Sequence, residues 1–250
     1  MTVPELISLL PWWTALAIVI LGAILTLDVT SYAQTWFSQP LPAGILAGVI
    51  CGDATIGFAI ALPVQLLNIS NLPIGKSCSG ERTSIVLASV LVLTALGYRP
   101  PIVLTEGISD KMALLGWVIT AVCFGSFLGG WMIKVERILH FRLVVVGIRK
   151  LRAGTISELG KIQTRCMIIT ASRGIILVSF WIAFLVLVWI PMFWKLSPEI
   201  TKLFAMVPML TVAVGISSII ELYVRHRGWI LLGAGSVATA VILTLVKGLG

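Results

Sequence analysis

Residues 52–82 read GDATIGFAIALPVQLLNISNLPIGKSCSGER, and this stretch decides what kind of fold the chain can adopt. It begins inside an apolar run long enough to enter a bilayer, yet polar side chains and helix-breaking residues follow one another along it. The polar ones are Asp53, Gln65, Asn68, Asn71, Lys76, Glu81 and Arg82. Unpaired polar groups are costly in hydrocarbon, so irregular backbone at membrane depth is found buried in protein or lining a wet cavity. The stretch therefore predicts a broken or re-entrant segment that forms a substrate site.

A solvent loop between two spans is the alternative interpretation of this stretch. Residues 64–74 are too apolar for an ordinary loop, and this favours the membrane interpretation. Composition points the same way. The chain has 250 residues, of which 58% are hydrophobic and only 11% charged, and its mean hydropathy is +1.07. These values lie outside the range of soluble domains and predict an all-α, polytopic membrane protein.

Apolar runs divide the chain into about seven predicted transmembrane helices. They are 9–27, 41–62, 84–96, 112–133, 174–194, 203–222 and 229–246. The third is short for a bilayer crossing and could be the return limb of a re-entrant hairpin. Gly44, Gly48 and Gly52 lie four residues apart in the second run, which predicts close helix packing on one face. Residues 1–133 form an N-terminal membrane part with the broken segment 52–82, and 174–250 form the C-terminal membrane helices.

Between these two parts lies a basic segment, residues 134–173. It carries nine of the eighteen lysines and arginines: Lys134, Arg137, Arg142, Arg149, Lys150, Arg152, Lys161, Arg165 and Arg173. The positive-inside rule assigns such a segment to the cytoplasm. Its apolar residues recur at helical spacing, so we expect an amphipathic helix on the cytoplasmic membrane surface. Docking of a soluble partner is the alternative, and nucleic acid is disfavoured because the cations do not cover a polar surface.

Catalytic signatures are missing from the sequence. It contains no HExxH, P-loop, GxSxG or GxGxxG motif, and Cys51, Cys78, Cys123 and Cys166 lack metal-ligand spacing. We therefore predict no metal, no cofactor and no catalytic residue in this chain. Polar groups in a broken membrane segment without a nucleophile are typical of a permease, whose energy comes from an ion gradient or from a partner protein.

An ordered series of residues carries a family resemblance. It consists of Leu27-Asp28, Gln39-Pro40-Leu41, Gly52-Asp53, Gln65-Leu66, Leu72-Pro73-Ile74-Gly75 and Glu81. Over roughly the first hundred residues, spacing and residue type resemble the IIC subunit of the mannose/fructose/sorbose family of bacterial phosphotransferase systems. Beyond that point the likeness is one of architecture.

The resemblance implies a sugar-translocating subunit in a bacterial inner membrane. It implies a IID membrane partner, soluble IIA and IIB proteins that deliver the phosphoryl group, and a trimer of IIC–IID pairs. The chain would bind a hexose or amino sugar without being phosphorylated itself. The sugar-binding residues that this implies are Asp28, Asp53, Gln65, Asn71 and Glu81.

One departure from the family pattern concerns Glu81. The family often has Pro-Asp near this position, whereas this chain has Gly80-Glu81 followed by Arg82. Glu81 could therefore pair with Arg82 or Lys76. The two cations could also favour an anionic sugar, such as a uronate or a sulfated amino sugar.

Two other functions stay open at this point. The chain could be a membrane scaffold that works through residues 134–173, or an ion-coupled secondary transporter with Asp53 at its coupling site. Asp53 has a structural interpretation as well, because Asp often caps a helix, here one beginning at Ala54.

Overall fold

The computed structural model describes residues 3–30, 35–68, 81–100, 110–152 and 158–223. Within these ranges the regular structure is helical and contains no strand. The helices are α1 (Val3–Leu9), α2 (Trp12–Thr30), α3 (Pro40–Cys51), α4 (Ala54–Asn68), α5 (Thr83–Ala95), α6 (Asp110–Arg152), α7 (Glu158–Phe184), α8 (Ile190–Phe193) and α9 (Pro198–Tyr223). One π-helical turn, Leu185–Trp189, joins α7 to α8.

Three long helices in the described part of the chain could cross a membrane. They are Asp110–Arg152, Gly160–Phe193 and Pro198–Ile220. A fourth span results if α1 and α2, which meet at an angle of 78°, are counted together. The predicted all-α architecture with membrane-spanning helices is confirmed, whereas seven spans are not. The predicted span 229–246 lies outside the described residues.

The predicted second span, 41–62, is wrong as a single helix. Helix α3 ends at Gly52, which adopts the left-handed conformation with φ of 88°, and α4 starts two residues later. At about 1.5 Å per residue, 12 residues of α3 and 15 of α4 are roughly 18 and 22 Å long, short of a hydrocarbon core of roughly 30 Å. The two helices fold back on each other as a hairpin.

Glycines hold this hairpin together. Gly44 of α3 lies against the carbonyl of Gly57 in α4, and Gly48 lies against the backbone of Asp53 and Ala54. A Cβ at Gly48 would stand 2.7 Å from the carbonyl oxygen of Asp53. The predicted close packing is therefore confirmed for Gly44 and Gly48, whose partner is the returning limb of the same hairpin, and is wrong for Gly52, where an added Cβ would have nothing within 4 Å.

Two of the helix-breaking residues in the segment 52–82 do not break a helix. Gly57 and Pro63 both lie within α4, which runs unbroken to Asn68. Gly57 fits there because it packs on the α3 backbone. The later part of the segment, residues 69–80, lies outside the described residues.

Helix α5 forms the centre of the molecule. Its 13 residues include ten that are buried, from Ser84 to Leu93. It packs against α2, α3, α4, α6 and α7. A helix that is apolar all round needs such an enclosure. At roughly 20 Å it is too short to cross a bilayer.

The sequence predicts a separate surface helix for the basic segment 134–173, and the structure does not show one. Residues 134–152 continue α6, whose 43 residues extend roughly 65 Å, and residues 158–173 form the first part of α7. The two stretches pack as an antiparallel pair, with Gly147 against Ile162. The domain boundaries expected at 133 and 173 thus fall inside continuous helices.

A pair of tryptophans fastens α6 to the π-helical turn. The rings of Trp117 and Trp189 stack with centroids 4.4 Å apart. Each indole N–H donates to the other residue's carbonyl oxygen, over 2.9 and 3.0 Å. Phe204 of α9 meets the Trp117 ring edge-on at 4.6 Å. Three helices are therefore fixed at one level by aromatic contacts.

The hairpin contact makes a prediction about stability. Gly57→Ala places a methyl group on the α3 backbone, and overpacking of this kind costs about 1–3 kcal/mol. We expect the unfolding temperature to fall by several degrees. Gly160→Ala is the matched control, because Gly160 is helical and a Cβ added there would have nothing within 4 Å. Thermal unfolding in detergent checks both variants, and an unchanged Gly57→Ala midpoint would contradict the packing.

Candidate functional site

A polar layer lies where several helices end or begin. The C-terminal end of α2, the turn before α3, the C-terminal end of α4 and the start of α5 contribute its side chains. We define it as Asp28, Thr35, Ser38, Gln39, Gln65, Asn68, Glu81, Arg82, Thr83 and Ser84, which form the separate hydrogen-bonded groups described below.

Asp28 organises the turn that leads into α3. Its Oδ1 accepts hydrogen bonds from the amide and the hydroxyl of Thr35, both at 2.7 Å. Its Oδ2 accepts one from the amide of Ser38 at 3.1 Å. The hydroxyl of Thr83 donates to the carbonyl of Ser38 at 2.5 Å and links this turn to α5. The carboxylate is 8% exposed and is satisfied by donors from the turn.

Gln65 and Asn68 close the open end of the hairpin. Gln65 accepts a hydrogen bond from the amide of Leu41 at 3.3 Å, so α4 supplies an acceptor to one of the free N–H groups at the start of α3. One turn later, Asn68 accepts from Arg82 at 2.8 Å and donates to Gln39 at 3.5 Å. These bonds tie the ends of α3 and α4 to the beginning of α5.

Glu81 has one engaged and one free carboxyl oxygen. Oε1 accepts from the amide and hydroxyl of Ser84, at 2.8 and 2.9 Å, and so caps the first turn of α5. Oε2 is buried and has no hydrogen-bond partner within the described ranges. Arg82 bonds to Asn68, so the pairing of Glu81 with Arg82 suggested by their adjacency is not seen. Lys76 lies outside the described residues.

Asp53 lies at the other end of the hairpin. It accepts hydrogen bonds from the hydroxyl and the amide of Thr55, at 2.5 and 2.9 Å, and caps α4. The Thr55 hydroxyl stabilises the ionised carboxylate and lowers the pKa of Asp53 below its ordinary value, with burial acting weakly in the opposite direction. Twelve residues, roughly 18 Å along the axis of α4, separate Asp53 from Gln65.

The structure therefore brings together three of the five predicted binding residues. Asp28, Gln65 and Glu81 belong to the polar layer, and Asp53 does not. Asn71 lies outside the described residues. The sequence interpretation left Asn68 and Gln39 out of the site, although Asn68 follows Gln65 by almost one helical turn and Gln39 directly precedes the proline that starts α3.

Depth along α6 locates this layer. The backbone of Glu81 packs on Gly129. Gly129 lies within the apolar stretch 112–133 of α6, four residues before its end. The polar layer therefore contacts the apolar stretch of α6 near the end that adjoins the basic segment. Polar residues that lie among apolar helices are typical of substrate and ion pathways.

Comparisons with known proteins give a fold and no family. No protein-family model matches the chain, and a search of curated proteins gives no match. A solved structure named "Structure of membrane protein" is similar, with a TM-score of 0.63 and 14% sequence identity, over 94% of this chain and 95% of that one. With its long apolar helices, the chain therefore has the fold of a multi-pass membrane protein.

The capping role of Asp53 is testable. Asp53→Ala removes the cap and should cost about 1 kcal/mol of folding stability, whereas Asp53→Asn keeps a capping oxygen and should cost a few tenths. Because folding lowers the pKa of this carboxyl, its extra contribution is present above the ordinary value of 3.8 and is lost as pH falls through the folded value. Unfolding of the three proteins at pH 7 and pH 3 measures this. Equal stability of Asp53→Ala and wild type at pH 7 would contradict the cap.

Proposed function

We propose that the chain is the sugar-binding and translocating membrane subunit, IIC, of a phosphoenolpyruvate-dependent phosphotransferase system of the mannose/fructose/sorbose type. It works in a bacterial inner membrane, takes up a hexose or amino sugar, and hands it to a IIB subunit for phosphorylation. A IID membrane subunit, a IIA protein and assembly into a trimer of IIC–IID pairs belong to the proposal, as does a further span at 229–246.

The observation that carries the proposal is the free acceptor in the polar layer. Oε2 of Glu81 is buried without a partner in the described part of the chain, and the Glu81 backbone packs on Gly129, near the end of the apolar stretch of α6. A buried acceptor left unpaired costs about 1–3 kcal/mol, which a ligand hydroxyl would recover. Sugars carry several hydroxyl donors. Arg82, the next residue in the chain, belongs to a separate hydrogen-bonded group with Asn68 and Gln39, and this group offers further donors and acceptors.

Helix architecture supports transport in particular. Helices α3, α4 and α5 are shorter than a bilayer crossing, and the start of α3, the end of α4 and the start of α5 meet at the layer. Broken helices whose ends meet near mid-membrane form the substrate sites of many secondary transporters. The same geometry suits a carrier that passes a sugar across the membrane.

A membrane scaffold remains the second candidate, and one observation favours it. Beyond the apolar stretch of α6, large side chains stand exposed beside basic residues, among them Ile138 at 55% and Phe141 at 69%. Such a surface suits a partner helix or lipid. The ion-coupled alternative depended on Asp53, whose carboxylate is engaged by Thr55 at the hairpin turn.

A matched pair of variants tests the sugar site. Glu81→Gln keeps an acceptor for Ser84 but turns the free oxygen into a donor, so sugar affinity should fall about tenfold, equivalent to about 1.4 kcal/mol. Glu199→Gln makes the same chemical change at an exposed position of α9 and should leave affinity unchanged. Calorimetric titration of the purified chain with mannose, N-acetylglucosamine and glucuronate measures both.

The titration separates the possible outcomes. Saturable binding of one of these sugars by the wild type, weakened in Glu81→Gln alone, supports the proposal. If the wild type binds none of the three, the sugar function is contradicted. If it binds one and both variants bind it equally well, Glu81 is not part of the site.

A further inference from the structure

A second polar cluster, which shares no residue with the polar layer, is buried between α6 and α7. Glu136 and Arg173 are 5% and 3% exposed. Their Oε2 and Nε atoms lie 2.9 Å apart, which makes a close ion pair. The hydroxyl of Thr170 donates to Oε1 of Glu136, and Nε2 of His140 lies 3.7 Å from that oxygen and 3.1 Å from the carbonyl oxygen of Cys166.

The two halves of this ion pair differ in how well they are satisfied. Both oxygens of Glu136 have close polar neighbours. All three guanidinium nitrogens of Arg173 are enclosed and have no partner in hydrogen-bonding geometry among the described residues, so the 2.9 Å contact of Nε with Glu136 is an ion pair only. Guanidinium carries five N–H donors, four of them on Nη1 and Nη2. Buried donors of a charged group are costly to leave unpaired, and the described residues supply no acceptor to this end of Arg173.

The residues around Arg173 indicate the charge of an acceptor that could pair with its Nη1 and Nη2. Glu136 lies three residues beyond Ile133, where the apolar stretch of α6 gives way to the basic one. Lys134, Arg137 and Arg142 stand exposed around it. In the described part of 134–173, Glu136 is the buried carboxylate, and Arg173 already neutralises it. This cationic surface attracts anions to the level of Arg173.

Neighbouring contacts locate the free nitrogens at a three-helix seam. Thr170 and Arg173 face Glu136 on α6, and the next residue, Gly174, packs on the backbone and Thr26 of α2. Arg173 therefore lies where α7 meets both α2 and α6. Because its nitrogens are enclosed, a ligand reaches them when side chains at this seam move aside.

We propose that Arg173 binds the phosphate oxyanion of a phosphate ester or of inorganic phosphate at this seam. Its Nη1 and Nη2 form the end of a planar fork that matches two oxygens of one phosphate group. The basic surface around Lys134 concentrates such anions, and Glu136 holds the guanidinium in place from the Nε side. The phosphate belongs either to a lipid headgroup or to a soluble compound. This proposal uses no residue of the polar layer and does not depend on sugar transport.

Thermal unfolding of the full chain tests the proposal. The protein is purified in a phosphate-free sugar detergent, and inorganic phosphate or phosphatidylglycerol is added at constant ionic strength, with chloride as the reference. We expect a saturable rise in the unfolding temperature of the wild type. Inorganic phosphate alone producing the rise identifies a soluble ligand. A rise with phosphatidylglycerol alone, together with one retained lipid in native mass spectra, identifies a headgroup.

Three variants locate the site. Arg173→Lys keeps the charge but loses the fork, and should weaken the apparent affinity at least tenfold. The double variant Glu136→Gln with Arg173→Gln removes the ion pair without leaving one charge buried alone, and should abolish the effect. Arg149→Gln, an exposed arginine on α6, is the control and should stay within twofold of the wild type.

Two results would count against the phosphate site. The absence of a saturable rise in the wild type with either compound would overturn the proposal, since water would then suffice for the free nitrogens. If Arg149→Gln weakened the effect as much as Arg173→Lys, the rise in unfolding temperature would reflect general attraction of anions to the positively charged surface. If the double variant does not fold, Arg173→Lys decides.

Discussion

The contact between the backbones of Gly44 and Gly57 is the constraint on which the N-terminal half depends. With no side chain on either residue, α3 and α4 approach until their main chains touch, and the chain can turn back within the thickness of a bilayer. The turn itself needs Gly52 in a left-handed conformation and Asp53 as a cap for the returning helix. The open end of the hairpin is therefore formed by Gln39 and Asn68. An unbroken span would instead have continued past Gly52 in one direction.

Once the hairpin ends there, its free backbone groups need partners. Gln65 supplies an acceptor to the start of α3, Glu81 to the start of α5, and Asp28 to the connecting turn. The polar side chains of this region thus serve as hydrogen-bond partners for the backbone. They are therefore not all available to a ligand, as the predicted set of binding residues would require. The set of groups that remains for a ligand is smaller. It consists of the second oxygen of Glu81 and the remaining donors of Arg82.

Local sequence patterns predicted the membrane class, the glycine packing and the region of the polar layer, because each depends on residues close in the chain. They could not distinguish a glycine-rich span from a glycine-rich hairpin, since both are apolar and the difference is the tertiary contact of Gly44 with Gly57. The basic residues after Ile133 predicted a separate surface helix, whereas residues 134–152 continue α6. An exposed helix end accepts cations as readily as a surface helix does, so α6 continues through them. The pairing of Glu136 with Arg173 joins distant positions and has no local signal.

Depth measurement of the hairpin tests the central claim most directly. Spin labels are placed one at a time at Ala54→Cys and Leu67→Cys in a chain whose natural cysteines are replaced, and power saturation in bilayers gives the depth of each label. The two positions are thirteen residues apart on α4, roughly 20 Å along its axis. Because α4 is shorter than the hydrocarbon core, the account predicts that one label lies near an interface and the other within the hydrocarbon. Labels at opposite interfaces, as in a full crossing, would contradict it.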